Sequence, residues 1–252
     1  MSSIFIKNVS SIVSCDNNDT VYNYSNLLIE NGVISYIGKE EKKADKVIDA
    51  SGCFMYPGLI NTHHHLYQIF SRNLPQVQNM ELFDWLRTLY EIWKNINNDV
   101  VYYSSIAAMG ELLKTGCTTC FDHHYVFPNN NSETLLDSQF AAAKDLGIRM
   151  YASRGSMDLS KKDGGLPPDS VVQSLDEILK DCQKAVEKYH DSSRYSMNMV
   201  ALAPCSPFSV TEELLKQSAI LARDLKVRLH THLCETKDEE RYVKEKFNMR
   251  PL

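Results

Sequence analysis

Pro57-Gly58-Leu59-Ile60-Asn61-Thr62-His63-His64-His65-Leu66-Tyr67-Gln68 is the stretch on which the fold of this chain turns. The apolar run before it, Cys53-Phe54-Met55-Tyr56 and then Leu59-Ile60, reads as a strand entering a core. Side chains alternate faces along a strand, so His63 and His65 point one way and His64 the other. Three adjacent histidines are costly in a buried strand unless something binds them. A His-x-His pair on one face is a two-nitrogen clamp for a metal such as zinc. The competing reading is a solvated histidine cluster in a loop, and the rest of the chain weighs for the clamp.

Outward from that stretch the two sides differ. Residues 1–56 read as a small β-subdomain. Ser3 to Val9 is a strand candidate, and Leu27–Glu30, Asn31-Gly32 and Val33–Gly38 form a hairpin pattern with the Asn-Gly turn. Lys46–Gly52 supplies another short strand. From residue 57 to 252 the rhythm becomes strand, loop, helix. Strand candidates are 57–62, 118–121, 148–152, 198–202 and 227–230. Amphipathic helix candidates are 81–93, 100–113, 138–146, 171–189, 211–225 and 238–247. Gly116 and Gly147 sit where helix C-caps belong, and Asn129-Asn130-Asn131 reads as a polar loop. Alternating βα units predict an α/β fold with a parallel sheet, either a barrel or doubly wound.

The chain has 252 residues, enough for one large domain or somewhat more. Its formal charge is −5, which weighs against nucleic-acid or membrane-surface binding. The sequence shows neither a long apolar run nor a signal peptide, so the expected compartment is the cytoplasm. Seven cysteines, an odd number, fit free thiols in a reducing compartment. Cys117 and Cys120 match Cys-x-x-Cys on an expected buried strand and are read as two apolar cysteines.

The second informative stretch is Leu229-His230-Thr231-His232-Leu233-Cys234-Glu235-Thr236, at the C-terminal end of the fifth βα strand, where barrel sites are built. His232 and Glu235 are three apart as the strand hands over to a loop, so one can reach a metal while the other reaches water or substrate. His230 shares the strand face of His232 and is a candidate for supporting it. Cys205, at a strand end in a proline-rich turn, is a candidate for touching substrate. His64 and His190 are read as non-ligands, and His124 is left open.

These motifs carry a resemblance. Asp49-Ala50-Ser51-Gly52 with Pro57–His65, Gly116-Cys117-Thr118-Thr119 and His232-Leu233-Cys234-Glu235 resembles the metal-dependent amidohydrolase superfamily. Further stretches are similar to its aminohydrolases of nitrogen heterocycles, of the 8-oxoguanine deaminase and hydroxyatrazine type. They are Asn79–Leu86, Asp122–Pro128, Arg154–Leu159, Gly164–Pro168 and Ala203–Phe208. The resemblance implies a (β/α)8 barrel with one divalent metal, zinc before iron, on His63, His65 and His232. It implies Glu235 as proton shuttle in a hydrolytic deamination: water attacks the ring carbon bearing the amine, Glu235 moves a proton to a ring nitrogen, and ammonia leaves. Gln68, Trp85, His123 and Arg154, with Cys205, are the candidates for holding the heterocycle.

The family pattern also has a histidine after the sixth strand and an aspartate after the eighth, and this sequence ends after the fifth. The expectation is therefore a partial (β/α)8 barrel, its first five βα units at 57–252 following the 1–56 subdomain, in a truncated chain with little activity alone. The expected partners are a small heterocycle and water, with a homo-oligomer implied by resemblance only. 8-Oxoguanine is the favoured substrate. The alternatives are guanine, a pyrimidine or a triazine on the same fold, or an inactive remnant that binds metal or a partner through an exposed sheet edge.

Overall fold

The structure, a computed structural model, describes residues 3–129 and 134–252. Of the expected asparagine loop, Asn130 and Asn131 lie outside the described residues. The chain divides into two compact units, Met1–Leu59 and Ile60–Leu252.

The first unit is a five-stranded sheet: β1 (Ser3–Val13), β2 (Val21–Glu30), β3 (Val33–Gly38), β4 (Lys46–Asp49) and β5 (Phe54–Met55). The order is β3-β2-β1-β4, with β5 also on β1. β1–β2 and β2–β3 pair antiparallel, while β4 and β5 run parallel to β1. The hairpin forms as its Asn-Gly signal predicts, because Asn31 and Gly32 both take the positive φ (54° and 79°) that a tight primed turn requires. Val9, Ile12, Leu27 and Ala50 form its core. β2 starts earlier than the sequence suggests, since Val21-Tyr22-Asn23-Tyr24 lacks a strict alternation and is held by its pairing with Ser11–Val13.

The second unit begins with β6 (Leu59–His64), followed by α1 (Leu82–Trp93), α2 (Asn98–Lys114), β7 (Cys117–Asp122), α3 (Leu135–Leu146) and β8 (Arg149–Ser156). Then come α4 (Leu175–Tyr189), β9 (Asn198–Pro204), α5 (Glu212–Asp224) and α6 (Lys237–Phe247). The sheet order is β6-β7-β8-β9, and β7–β8 and β8–β9 are parallel. A doubly wound sheet reverses its order at a switch point. Here each strand lies beside its predecessor, which is the winding of a barrel, present in part. Local signals fix the helix ends. Ser174 and Glu177 close a capping box on α4, and Thr211 caps α5. Gly147 ends α3 in the left-handed conformation, φ 71°. One core lies between helices and sheet, with Leu89, Trp93, Met109, Met150, Ile178 and Leu202 fully buried in it. Among the described residues no helix is long and apolar enough to cross a membrane.

The fifth expected strand is reduced to one bridge, Leu202 to Leu229. Leu202 N–H donates to the Arg228 carbonyl and His230 N–H to that of Leu202. The next donor in a regular ladder belongs to residue 204, which is proline and has none. The following bond jumps to His232 N–H on the Cys205 carbonyl. Pro204 thus ends the pairing where the histidines emerge.

Gly155 on β8 lets two segments meet. Its N–H donates to the His124 carbonyl at 2.9 Å. A Cβ there would press on that same oxygen and lie 2.5 Å from the Cα of Tyr125. Gly155→Ala is expected to lower unfolding free energy in urea by about 1–3 kcal/mol, the range for overpacking. An unchanged denaturation midpoint would contradict this account of the strand junction.

Candidate metal centre and active site

His63 ends two residues before His65, and both project to the same side of β6. Their Nε2 atoms are 3.1 Å apart. His232, arriving from the bridged segment, places its Nε2 3.3 Å from that of His65. The other nitrogen of each ring is engaged. His65 Nδ1 lies 2.7 Å from the His123 carbonyl and His232 Nδ1 3.0 Å from the Cys205 carbonyl. A carbonyl only accepts, so each Nδ1 carries the proton and each Nε2 presents a lone pair. His63 Nδ1 faces His230 Nε2 at 3.0 Å, which turns its own Nε2 to the same point.

The Nε2 lone pairs of His65 and His232, which face each other at 3.3 Å, repel unless a cation lies between them. Two nitrogens bound to tetrahedral zinc at about 2.0–2.1 Å are roughly 3.3 Å apart. The donor set therefore fits a zinc-like ion with its outer partners in place. A looser grouping, His63, His123 and His232, has ligand atoms within 4.8 Å of one another. The set with His65 fits better, because its nitrogens are closer and main-chain carbonyls fix the tautomers of His65 and His232.

Burial, as the largest cause, depresses the proton affinity of these rings. It takes His65 to about 3 and His232 to about 4, with the neighbouring imidazoles adding to the effect. Both rings are thus neutral, ligand-ready bases at pH 7. Glu235 is pushed the other way, above the usual carboxylate range, first by desolvation and then by the charge of Glu239.

A cavity of about 100 Å³ lies beside the imidazoles, lined by His65, Gln68, Trp85, Cys205, His232 and Glu235, with Leu82, Leu86, Tyr90, Tyr125, Ser206 and Phe208 completing its wall. It shares Gln68, Leu82, Trp85 and Glu235 with a broader groove of about 480 Å³. A larger hollow along α4 at Gln173, Glu177, Lys180 and Asp181 is lined by none of the histidines. Gln68 Nε2 donates to the Tyr125 hydroxyl at 3.0 Å. Its carbonyl oxygen is then the group left for a ligand.

The structure thus brings together His63, His65, His232, Glu235, Gln68, Trp85 and Cys205. It does not bring Arg154 there. That side chain is fully buried, paired with Asp181 at 2.6 Å and Gln173 at 2.7 Å, and seated on Phe127 at 3.6 Å. It acts as a strut between β8 and α4. His123 also stays out of the cavity wall: its buried ring stacks on His232, centroids 4.2 Å apart, and neither ring nitrogen has a partner among the described residues. His190 Nδ1 accepts from Val200 N–H and supports β9. The Cys205 thiol, pushed up to about 12 by burial, is a neutral wall group. Every cysteine is free, including buried Cys117 and Cys120. Sequence reading missed Tyr90, Tyr125 and Ser206, whose only signal was proximity to motif residues.

A family model described as Amidohydrolase family matches residues 54–252. An 8-oxoguanine deaminase of Pseudomonas aeruginosa is 41% identical over 256 residues, covering 100% of this chain and 56% of that protein. A hydroxydechloroatrazine ethylaminohydrolase of Pseudomonas sp. (strain ADP) is 38% identical over 237 residues, covering 89% and 49%. Among solved structures, the atrazine chlorohydrolase of Arthrobacter aurescens complexed with zinc superposes with a TM-score of 0.90 at 31% identity, covering 98% of this chain and 56% of that one. The chain spans about half the length of the curated relatives it matches.

Asp122, at the end of β7, is fully buried and takes the Leu66 N–H at 2.6 Å, next to His65. Burial raises its carboxyl to about 7 against the pull of Leu66 and Gln139. The folded chain therefore binds this proton more tightly than the unfolded one. The stability it contributes is complete below about pH 4 and is lost as pH rises through about 7. Asparagine keeps the acceptor for Leu66, and once the Gln139 amide, whose Nε2 now donates to Asp122, turns over, its NH2 donates to Gln139 Oε1, which has no partner among the described residues. Asp122→Asn is expected to gain on the parent between pH 4 and 7 by up to a few kcal/mol. Chemical denaturation at the two pH values checks this, and a pH-independent difference would contradict it.

Proposed function

The chain belongs to the amidohydrolase family, and from that premise we propose that it forms the metal-binding part of an aminohydrolase that replaces an exocyclic amine of a nitrogen heterocycle by oxygen. The observation that carries this reading is the convergence of His63, His65 and His232 Nε2 beside Glu235 and a small aromatic-walled cavity. A divalent metal on these nitrogens, zinc before iron, supplies the Lewis acidity that makes water a nucleophile near neutral pH.

The chain's own residues supply the rest. Trp85 and Phe208 offer flat apolar surface to a planar ring. The Gln68 carbonyl accepts an N–H of the heterocycle, held in place by the tyrosine hydroxyl on its amide. Glu235, with its raised proton affinity, takes a proton from the attacking water and delivers it to a ring nitrogen, then passes the proton of the newly added hydroxyl to the departing amine as the carbonyl forms. The balance is amine plus water to carbonyl plus ammonia. Cys205 lines the cavity as an uncharged contact.

8-Oxoguanine is the favoured substrate, since the 41% identical relative carries that name. A triazine is the second reading, favoured by the atrazine-related proteins among the relatives. The same reading places the protein in the cytoplasm with heterocycle and water as its partners. Full turnover belongs to the complete barrel, of which relatives of about twice this length are the example.

Elemental analysis tests the centre. About one zinc or iron per chain is expected, lost in His63→Ala/His65→Ala. A folded, metal-free parent would overturn the proposal. In the complete barrel, Glu235→Gln is expected to keep the metal and to cut ammonia release from 8-oxoguanine by about a hundredfold or more. Equal rates would remove Glu235 from the proton path.

A further inference from the structure

We propose that Glu239 is the positioning residue for Glu235, its carboxylate fixing the turn that carries Glu235 to the cavity. The inference rests on the reading of Glu235 as proton carrier and deepens it.

Thr236 caps α6, and Glu239 is its third helical residue. A glutamate there ordinarily returns to the amide of the capping residue. Glu177 does so at α4, bonding the Ser174 N–H at 2.9 Å. Glu239 reaches further. One oxygen accepts the Cys234 N–H and the other the Glu235 N–H, each at 2.8 Å. Both donors lie upstream of the cap, outside the helix that Glu239 belongs to.

The bidentate grip is costly to build and so is informative. Glu239 is 0% exposed, and a buried carboxylate persists only where charge-assisted bonds compensate its desolvation. The positive end of the α6 dipole adds to that compensation. Cys234, one of the two donors, has φ +59°, a conformation that non-glycine residues avoid and that surrounding bonds must hold. The segment is pinned at its other end by His232, whose N–H and Nδ1 both meet the Cys205 carbonyl. Glu235 is thus carried between two anchors, one on the metal ligand and one on Glu239. The Glu239 charge has a second effect, since it helps to hold the Glu235 proton. The other titratable groups on the cavity wall are His65, His232, Tyr90, Tyr125 and Cys205. None of these changes in the variants below.

The test compares the 252-residue chain with Glu239→Ala and with the isosteric Glu239→Gln. It reads amide hydrogen exchange at residues 234 and 235 and the carboxyl carbon titration of Glu235 by NMR. Exchange at both amides should accelerate roughly tenfold or more in Glu239→Ala, and at one of them in Glu239→Gln, which keeps a single acceptor oxygen. The Glu235 midpoint should fall in Glu239→Gln. A carboxylate that only returned to the Thr236 amide would leave exchange at residues 234 and 235 unmoved. Unchanged exchange in Glu239→Ala, or an unmoved midpoint in Glu239→Gln, overturns the inference. If Glu239→Ala fails to fold, Glu239→Gln decides on both readouts. Zinc titration of the parent separates the two claims. No zinc binding sinks the proposed function and leaves the exchange result standing, whereas normal zinc binding with unchanged exchange sinks the role of Glu239 alone.

Discussion

The constraint on which the rest depends is the convergence of three imidazole Nε2 atoms at 3.1–3.3 Å. Nothing in the rings themselves favours that approach. It is imposed from behind, by main-chain carbonyls at the ends of neighbouring strands. The His123 carbonyl after β7 orients His65, and the Cys205 carbonyl after β9 orients His232. The parallel sheet therefore does two jobs at its C-terminal edge. It brings histidines from distant parts of the sequence to one place, and main-chain carbonyls at that edge choose the tautomers of His65 and His232.

The neighbourhood shows the same economy in polar groups. Asp122 ties the chain after His65 to β7 and, through Gln139, to α3. Pro204 stops the ladder so that His232 leaves it beside Cys205. Glu239 holds the turn that follows. Each device sits one step away from a group that faces the cavity, and each is buried or inside the sheet. A site built on such supports keeps its geometry without relying on mobile surface side chains.

What the sequence made legible follows from periodicity and chemistry. The His-x-His clamp shows because strand alternation fixes which rings share a face. The helices show because their apolar stripes repeat at 3.6 residues, and α1 buries Leu86, Leu89 and Trp93 along the expected stripe. Arg154 is the instructive contrast. A lone arginine at a strand end looks like a ligand-binding group, but its role depends on Asp181, 27 residues away on α4, and no local pattern announces that pairing. Glu239 is hidden for the opposite reason: its spacing from Thr236 is that of an ordinary capping box, and only the folded turn brings it to the amides of Cys234 and Glu235. The fifth strand was legible as a hydrophobic run, yet its fraying was also written in the sequence, at Pro204.

The central claim is that His63, His65 and His232 bind one metal through Nε2. Zinc-edge X-ray absorption on the zinc-loaded chain tests it most directly. Nitrogen neighbours at about 2.0–2.1 Å, with the outer scattering pattern of three imidazole rings, are expected. A sulfur neighbour near 2.3 Å, which would place Cys205 or Cys234 on the metal, or a shell of oxygens alone, would contradict it.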